Sequence, residues 1–211
     1  MNSLPPLLAQ LTGEPRLKRY PKGQTIIYQG ERPQEVVILA KGYIKLYDID
    51  KEGNEKILHI VGSGALVPLV FFSGGNSEVK WFYAALTDCD VYVFALEDMA
   101  RAVRDNNELM LFLVRRFSNE VHELLARLSS MGKSTARMKV VAALKFLSQH
   151  NAAPRKNGWY RVDFPVNHQL LADMTGVTRE SAAVIMKELV SKGSVRNPGQ
   201  AMLEICPHKL P

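Results

Sequence analysis

The chain has 211 residues, 46% of them hydrophobic and 23% charged, which suits one large or two small globular domains with no need of disulfide or metal staples. Its longest strongly apolar run, Ala65 to Phe72, is too short for a membrane helix and holds Pro68, and Met1 to Leu11 sets no positive charge before its leucines, so neither a membrane partner nor a secretory signal is expected and the cytoplasm is. The net charge of +6 is uneven: residues 133–211 carry 12 Lys and Arg against 5 Asp and Glu, a local +7 that points to a polyanion-binding C-terminal part.

Residues 17–96 read as strands. Glycines 23, 30, 42, 53, 62 and 64 separate short β-rich pieces at Thr25–Tyr28, Glu35–Leu39, Tyr43–Asp48 and Lys56–Val61, with Trp81–Leu86 and Val91–Leu96 later. Asp50-Lys-Glu-Gly-Asn54 reads as a hairpin turn. Many short strands with regular turns predict a sandwich or barrel-like roll.

From Glu97 to about Gly132 the pattern turns helical, with no proline and no glycine before Gly132. Met110, Val114, Phe117, Val121, Leu124, Leu128 and Met131 alternate at spacings of four and three, an a/d stripe that predicts an intermolecular seam and a homodimer. Arg115, Arg116, Glu120, Glu123 and Arg127 then read as charged flanks.

Gly132 ends that helix and Ser134 or Thr135 caps the next, which runs to about His150. Asn151–Gly158 reads as a loop. Asn167 caps a short helix, Gln169–Met174, and Gly176 breaks it. Thr178 caps a further helix, residues 179–192, ended by Gly193. Two helices joined through a tight glycine turn are a helix-turn-helix. Val195 to Ile205, turning at Pro198-Gly199, reads as the wing of a winged helix.

The second helix of such a pair lies in the major groove with its first residues at the base edges. Arg179 suits guanine, Glu180 suits the cytosine amino group, and Ala183 and Val184 follow one turn on. Thr178 and Ser181 suit phosphates, and Lys187, Asn167 and His168 complete the expected DNA-binding set. Ala182, Ile185, Met186 and Leu189 form the inward face.

Val166-Asn-His-Gln-Leu-Leu-Ala-Asp-Met-Thr-Gly-Val-Thr-Arg-Glu-Ser181, ending in Lys187-Glu-Leu-Val-Ser-Lys-Gly193, resembles the signature helix-turn-helix of the Crp/Fnr family of bacterial transcription regulators. Tyr20-Pro-Lys-Gly-Gln-Thr-Ile-Ile-Tyr-Gln-Gly30 and Gly42-Tyr-Ile-Lys-Leu-Tyr47 resemble that family's β-roll. The resemblance covers nearly the whole chain. It implies an α+β fold: a cyclic-nucleotide-binding-like β-roll (jelly roll) sensor over 1–105, a long dimerisation helix and hinge over 106–133, and a winged helix-turn-helix over 134–211. It implies a homodimer that reads a palindromic DNA site, responds to a signal in the roll and contacts RNA polymerase. Members of the cyclic-AMP receptor type carry Arg, Glu and, one turn on, a second Arg. Arg179 and Glu180 match the first two, and Val184 stands where the third would be.

The family's nucleotide cassette has a Gly-Glu pair and then an Arg-Ser pair. Here Pro68-Leu69 and Val79-Lys80 align with them, so the carboxylate is gone and an apolar residue replaces the arginine. A phosphate buried against Leu69 and Val79 lacks its partners, which argues against cyclic AMP. Leu69, Val79, Lys80, Trp81 and His122 mark the region to search for an effector. Its aromatic-rich stretch serves either as roll core and packing surface or as a pocket for an apolar effector.

No cysteine precedes Cys89, so the N-terminal iron–sulfur cluster of the family's oxygen sensors is excluded, and no metal site is expected. Haem is an alternative with His59 and His122 as candidate ligands, and it is not favoured. Cys89, between Asp88 and Asp90, should have a raised thiol pKa, and it and Cys206 are expected as free thiols. No Ser-His-Asp grouping, H-E-x-x-H, G-x-G-x-x-G or G-x-x-x-x-G-K-[ST] is present, so an enzyme is not expected. The leading expectation is a sequence-specific regulator sensing a non-cyclic-nucleotide signal, the alternative an effector-independent regulator of the same fold.

Overall fold

A computed structural model describes residues 15–68, 70–71, 77–196 and 202–211. The chain forms two compact units: residues up to Asp48 with Leu58–Glu120, and Ile49–Ile57 with Val121–Pro211.

In the first half, strands β1 (Arg16–Tyr20), β2 (Thr25–Ile27), β3 (Glu35–Lys41), β4 (Ile44–Ile49), β5 (Glu55–Val61), β6 (Leu66–Val67), β7 (Phe82–Ala85) and β8 (Cys89–Ala95) make two four-stranded sheets. The strand orders are β1-β8-β3-β6 and β2-β7-β4-β5. Val37 and Leu39 of β3 and Val91 and Val93 of β8 share one core with Ile44, Leu46 and Tyr83 of the other sheet. Val36, Ile38 and Phe94 point the other way, onto Met99, Leu109 and Leu113 of the following helices. Burial on both faces explains why β3 reads as an unbroken apolar run rather than an alternation. The β-roll expectation holds, while the short strands β1 and β6 go beyond the pieces named from sequence.

The β4–β5 turn forms as read. Asp50 accepts from the backbone N–H of Glu52 and Asn54, both at 2.9 Å, and these bonds to Asn54 hold its carboxyl below the usual carboxylate range. Gly42 is fixed by space as well as backbone. Its φ is +98°, and a Cβ there would lie 2.9 Å from the Cys89 sulfur and closer still to the Asp88 carbonyl.

The helical stretch is two helices rather than one: α1 (Leu96–Asp105) and α2 (Asn107–Met131). Asn106 breaks them. Its backbone is extended, and its side-chain oxygen accepts from Leu109 N at 3.1 Å, so it caps the second helix. Asparagine in an otherwise helical run gave no glycine or proline signal.

The second half has α3 (Ala136–His150), α4 (His168–Thr175) and α5 (Arg179–Ser191) on a sheet of order β11-β12-β10-β9. Its strands are β9 (Ala152–Pro154), β10 (Tyr160–Pro165), β11 (Val195–Arg196) and β12 (Met202–Ile205). The loop expected over Asn151–Gly158 therefore contains a strand, because Ala152–Pro154 pairs with β10. β11 and β12 pair antiparallel as a wing, and its expected turn at Pro198-Gly199 lies outside the described residues. Thr135 caps α3, accepting from Met138 N at 3.2 Å.

Candidate nucleic-acid interface

The helix-turn-helix is built by three local devices. Asn167 accepts from Leu170 N at 2.7 Å and so starts α4. Gly176, at φ +65°, takes the left-handed conformation that ends it. Thr178 accepts from Ser181 N at 3.2 Å and starts α5. Leu170, Leu171 and Met174 of α4 are buried, as are Ala182, Ile185, Met186 and Leu189 of α5. That burial orients the rest of α5 outward.

Arg179, Glu180, Val184 and Lys187 are exposed on one side of α5, and Ala183 and Ser181 are half-buried beside them. Val184 is 69% exposed, an apolar residue that the described residues leave uncovered. Among the described residues, no ion pair engages Arg179, Glu180 or Lys187. The Thr178 hydroxyl donates to Ser181 Oγ at 2.9 Å, which leaves the Ser181 hydroxyl hydrogen for a further acceptor. Asn167 and His168 are exposed at the start of α4. Thr178, Arg179, Glu180, Ser181, Ala183, Val184 and Lys187 thus share α5 and its cap, and Asn167 and His168 share the start of α4.

Other charges nearby are held internally. Arg137 of α3 pairs with Glu188 at 3.2 Å, and Lys192 hydrogen-bonds the same carboxylate, keeping it below the usual range. In the wing, Arg196 pairs with Glu204 at 2.6 Å and lies 4.1 Å over the Trp159 ring.

Arg127 has a position the sequence reading missed. It is 3% exposed, not a solvated flank of α2. Its Nη2 donates to the Met174 carbonyl and, at 3.3 Å, to the Ile57 carbonyl. Met174 is in the last turn of α4, where carbonyls lack helical partners and a cation meets the negative end of the helix. Arg127 therefore caps α4 and ties it to the start of β5. Burial pushes its pKa down to about 10, so it stays charged at neutral pH. The available signal was spacing: residues 109, 113, 116, 120 and 127 continue one helical row that begins with the buried Leu109 and Leu113.

On α2, Met110, Val114, Phe117, Val121 and Leu128 are exposed, and Leu124 and Met131 are half-buried. Leu111 and Leu125 add to the uncovered apolar surface.

The expected effector residues differ in their surroundings. Val79 is 3% exposed within the roll core. Lys80 is exposed and its carbonyl accepts from Gln29 Nε2 at 2.7 Å. Trp81 is exposed, and so is His122 on α2. His59 is buried on β5. Leu69 lies outside the described residues. Cys89 and Cys206 are free and buried. The Cys89 thiol pKa is raised as expected, but chiefly by burial rather than by its acidic neighbours; Asp90 is hydrogen-bonded to Arg19 at 2.8 Å. No described helix is long and apolar enough to cross a membrane.

A β-roll followed by a winged helix-turn-helix with an open recognition face defines a DNA-binding transcription regulator. The cyclic nucleotide-binding domain model matches residues 17–106, and the Crp-like helix-turn-helix domain model matches residues 139–208. The chain belongs to the Crp/Fnr family. It is 25% identical over 182 residues to the cyclic AMP receptor protein of Thermus thermophilus, covering 85% of this chain and 80% of that protein. It is 21% identical to the global nitrogen regulator of Nostoc, covering 84% and 80%. The fold is similar to that of a cyclic nucleotide-binding domain containing protein from Listeria monocytogenes, with TM-score 0.77, 16% identity, and coverage of 93% and 91%.

Proposed function

We propose that this regulator is a homodimer that reads a palindromic DNA site with α5 in the major groove and responds in its roll to a signal other than a cyclic nucleotide. The observation that carries the reading is the α5 face, where Arg179, Glu180, Val184 and Lys187 stand open while the opposite face is buried. Arg179 pairs with guanine, Glu180 accepts from cytosine, and Val184 meets a thymine methyl. Ser181, with Thr178 beside it, and Lys187, Asn167 and His168 hold phosphates. Ala183 lets the backbone approach the bases.

The exposed stripe of α2 supports pairing with a second copy. The chain divides by role into a sensor over 1–105, a dimerisation helix and hinge over 106–133, and a DNA-binding part over 134–211. Val79, packed in the roll core where the family's arginine would stand, supports a signal without a phosphate. The protein works in the cytoplasm, contacts RNA polymerase and catalyses no reaction, as its family relationship suggests.

The test is selection of bound fragments from sheared genomic DNA by the ligand-free protein. A palindromic motif with half-sites about one helical turn apart is expected. Arg179→Ala should relax the preference at one base pair by about 1–3 kcal/mol. An unchanged motif in that variant overturns the recognition-helix assignment, and tighter binding on adding cyclic AMP overturns the signal assignment.

A further inference from the structure

α3 has two uses for its side chains. Val140, Ala143, Leu144 and Leu147 are buried in the core of the second unit. Met138, Val141, Ala142 and Lys145 fall at i, i+3, i+4 and i+7 and so form a separate row. This row floors a cavity of about 470 Å³, within the usual range of small-molecule sites. Met138 is 47% exposed there, an apolar surface left open to solvent.

The rim is cationic. Lys133, Arg137 and Lys145 line the cavity, with no Asp or Glu side chain among its lining residues. Two of the three are already engaged and so held in place: Glu188 pairs with Arg137, and Lys145 Nζ donates to a main-chain oxygen of Pro211 at 3.1 Å. Glu188 engages one terminal nitrogen of Arg137, Nη2, which leaves the other for a ligand, while the buried Nε–H has no acceptor among the described residues. The guanidinium therefore has donor capacity beyond its ion pair. An apolar floor bordered by three cationic side chains complements neither a neutral hydrophobe nor a flat polyanion. It complements a molecule with an anionic head and an apolar body.

We propose that this cavity binds a small amphipathic organic anion, its carboxylate or phosphate held by Arg137, Lys145 and Lys133 and its hydrocarbon part laid on Met138, Val141 and Ala142. The occupancy of the site can be measured without DNA.

The experiment titrates the full chain with octanoate, octyl phosphate and 1-octanol, followed by calorimetry and by the methyl resonance of Met138. Both anions should bind saturably and shift that resonance, with the alcohol weaker by at least about tenfold. The stronger of the two anions identifies the head group. Ala142→Phe, which fills the floor, and Lys145→Glu, which reverses a surface charge without touching the core, should each weaken the anions by about tenfold or more, with the melting curve reporting that each variant is folded. Absence of saturable binding, equal affinity for the alcohol, or undiminished binding in both variants overturns the proposal. So does binding seen only in a Val121→Glu chain that cannot pair, since the cavity then belongs to a second copy.

Discussion

Helices α2 and α5 both leave a row of side chains uncovered, and the two rows are chemically opposite. On α2 the row is Met110, Val114, Phe117, Val121 and Leu128. On α5 it is Arg179, Glu180, Val184 and Lys187. An apolar row is satisfied by a like surface and is little affected by salt. A charged row is satisfied by an opposite charge and weakens as salt rises. Exposure alone thus does not identify a partner, whereas the chemistry of what is exposed does. Val184 stands out because it carries the chemistry of the first row within the second.

The comparison breaks most decisively at Val121. In the proposed homodimer a glutamate there puts one carboxylate from each copy into the α2 seam, and an uncompensated buried charge costs about 3–5 kcal/mol. Sedimentation should find monomers, and affinity for the palindromic site should fall by about a hundredfold or more. A persistent dimer places the seam elsewhere.

Arg127→Met tests the covered row of α2. It removes a donor from the Ile57 and Met174 carbonyls, at about 1–3 kcal/mol for a buried acceptor left unsatisfied. Thermal unfolding should show a lower midpoint by about 2–4 °C per kcal/mol. Unchanged melting assigns Arg127 no structural role.

Lys187→Ala sharpens the α5 side. It should weaken DNA binding nearly uniformly across sequences and lower the salt slope by about 1, unlike Arg179→Ala, which acts at one base pair. Salt-titrated binding to matched and mismatched sites separates the two.

The smallest effect is expected inside the roll, at Cys89. Burial raises its folded-state pKa, so the stability tied to the neutral thiol is whole below the unfolded value of about 8.5 and is lost as pH rises above it. The melting temperature of the wild type should fall more steeply above that pH than that of Cys89→Ala. Parallel curves refute the assignment.

The recognition face was legible in the sequence because each of its determinants is local. Asn167, Gly176 and Thr178 set the ends of the two helices within a few residues, and the buried and open sides of α5 follow from 3.6-residue periodicity. Asn106 was not legible, because the same residue type caps a helix or sits within one according to its surroundings. β9 was hidden because Ala152–Pro154 is a strand only through its pairing with β10. Arg127 was hidden for the same reason on a larger scale: its acceptors lie 70 and 47 positions away. The roll's effector region is the least legible, since an apolar aromatic stretch has one composition whether it fills a core or lines a pocket.

The second unit is discontinuous along the chain, since it takes in Ile49–Ile57 as well as everything from Val121 onward. Any fragment that starts at Val121 or at Ser134 lacks those nine residues, and with them the Ile57 carbonyl that Arg127 holds. A DNA-binding piece cut out at the sequence boundary is therefore missing part of its own structure. During synthesis Ile49–Ile57 leaves the ribosome well before the helices it joins, so this one segment of the early-made half waits for the last-made helices before that unit can close.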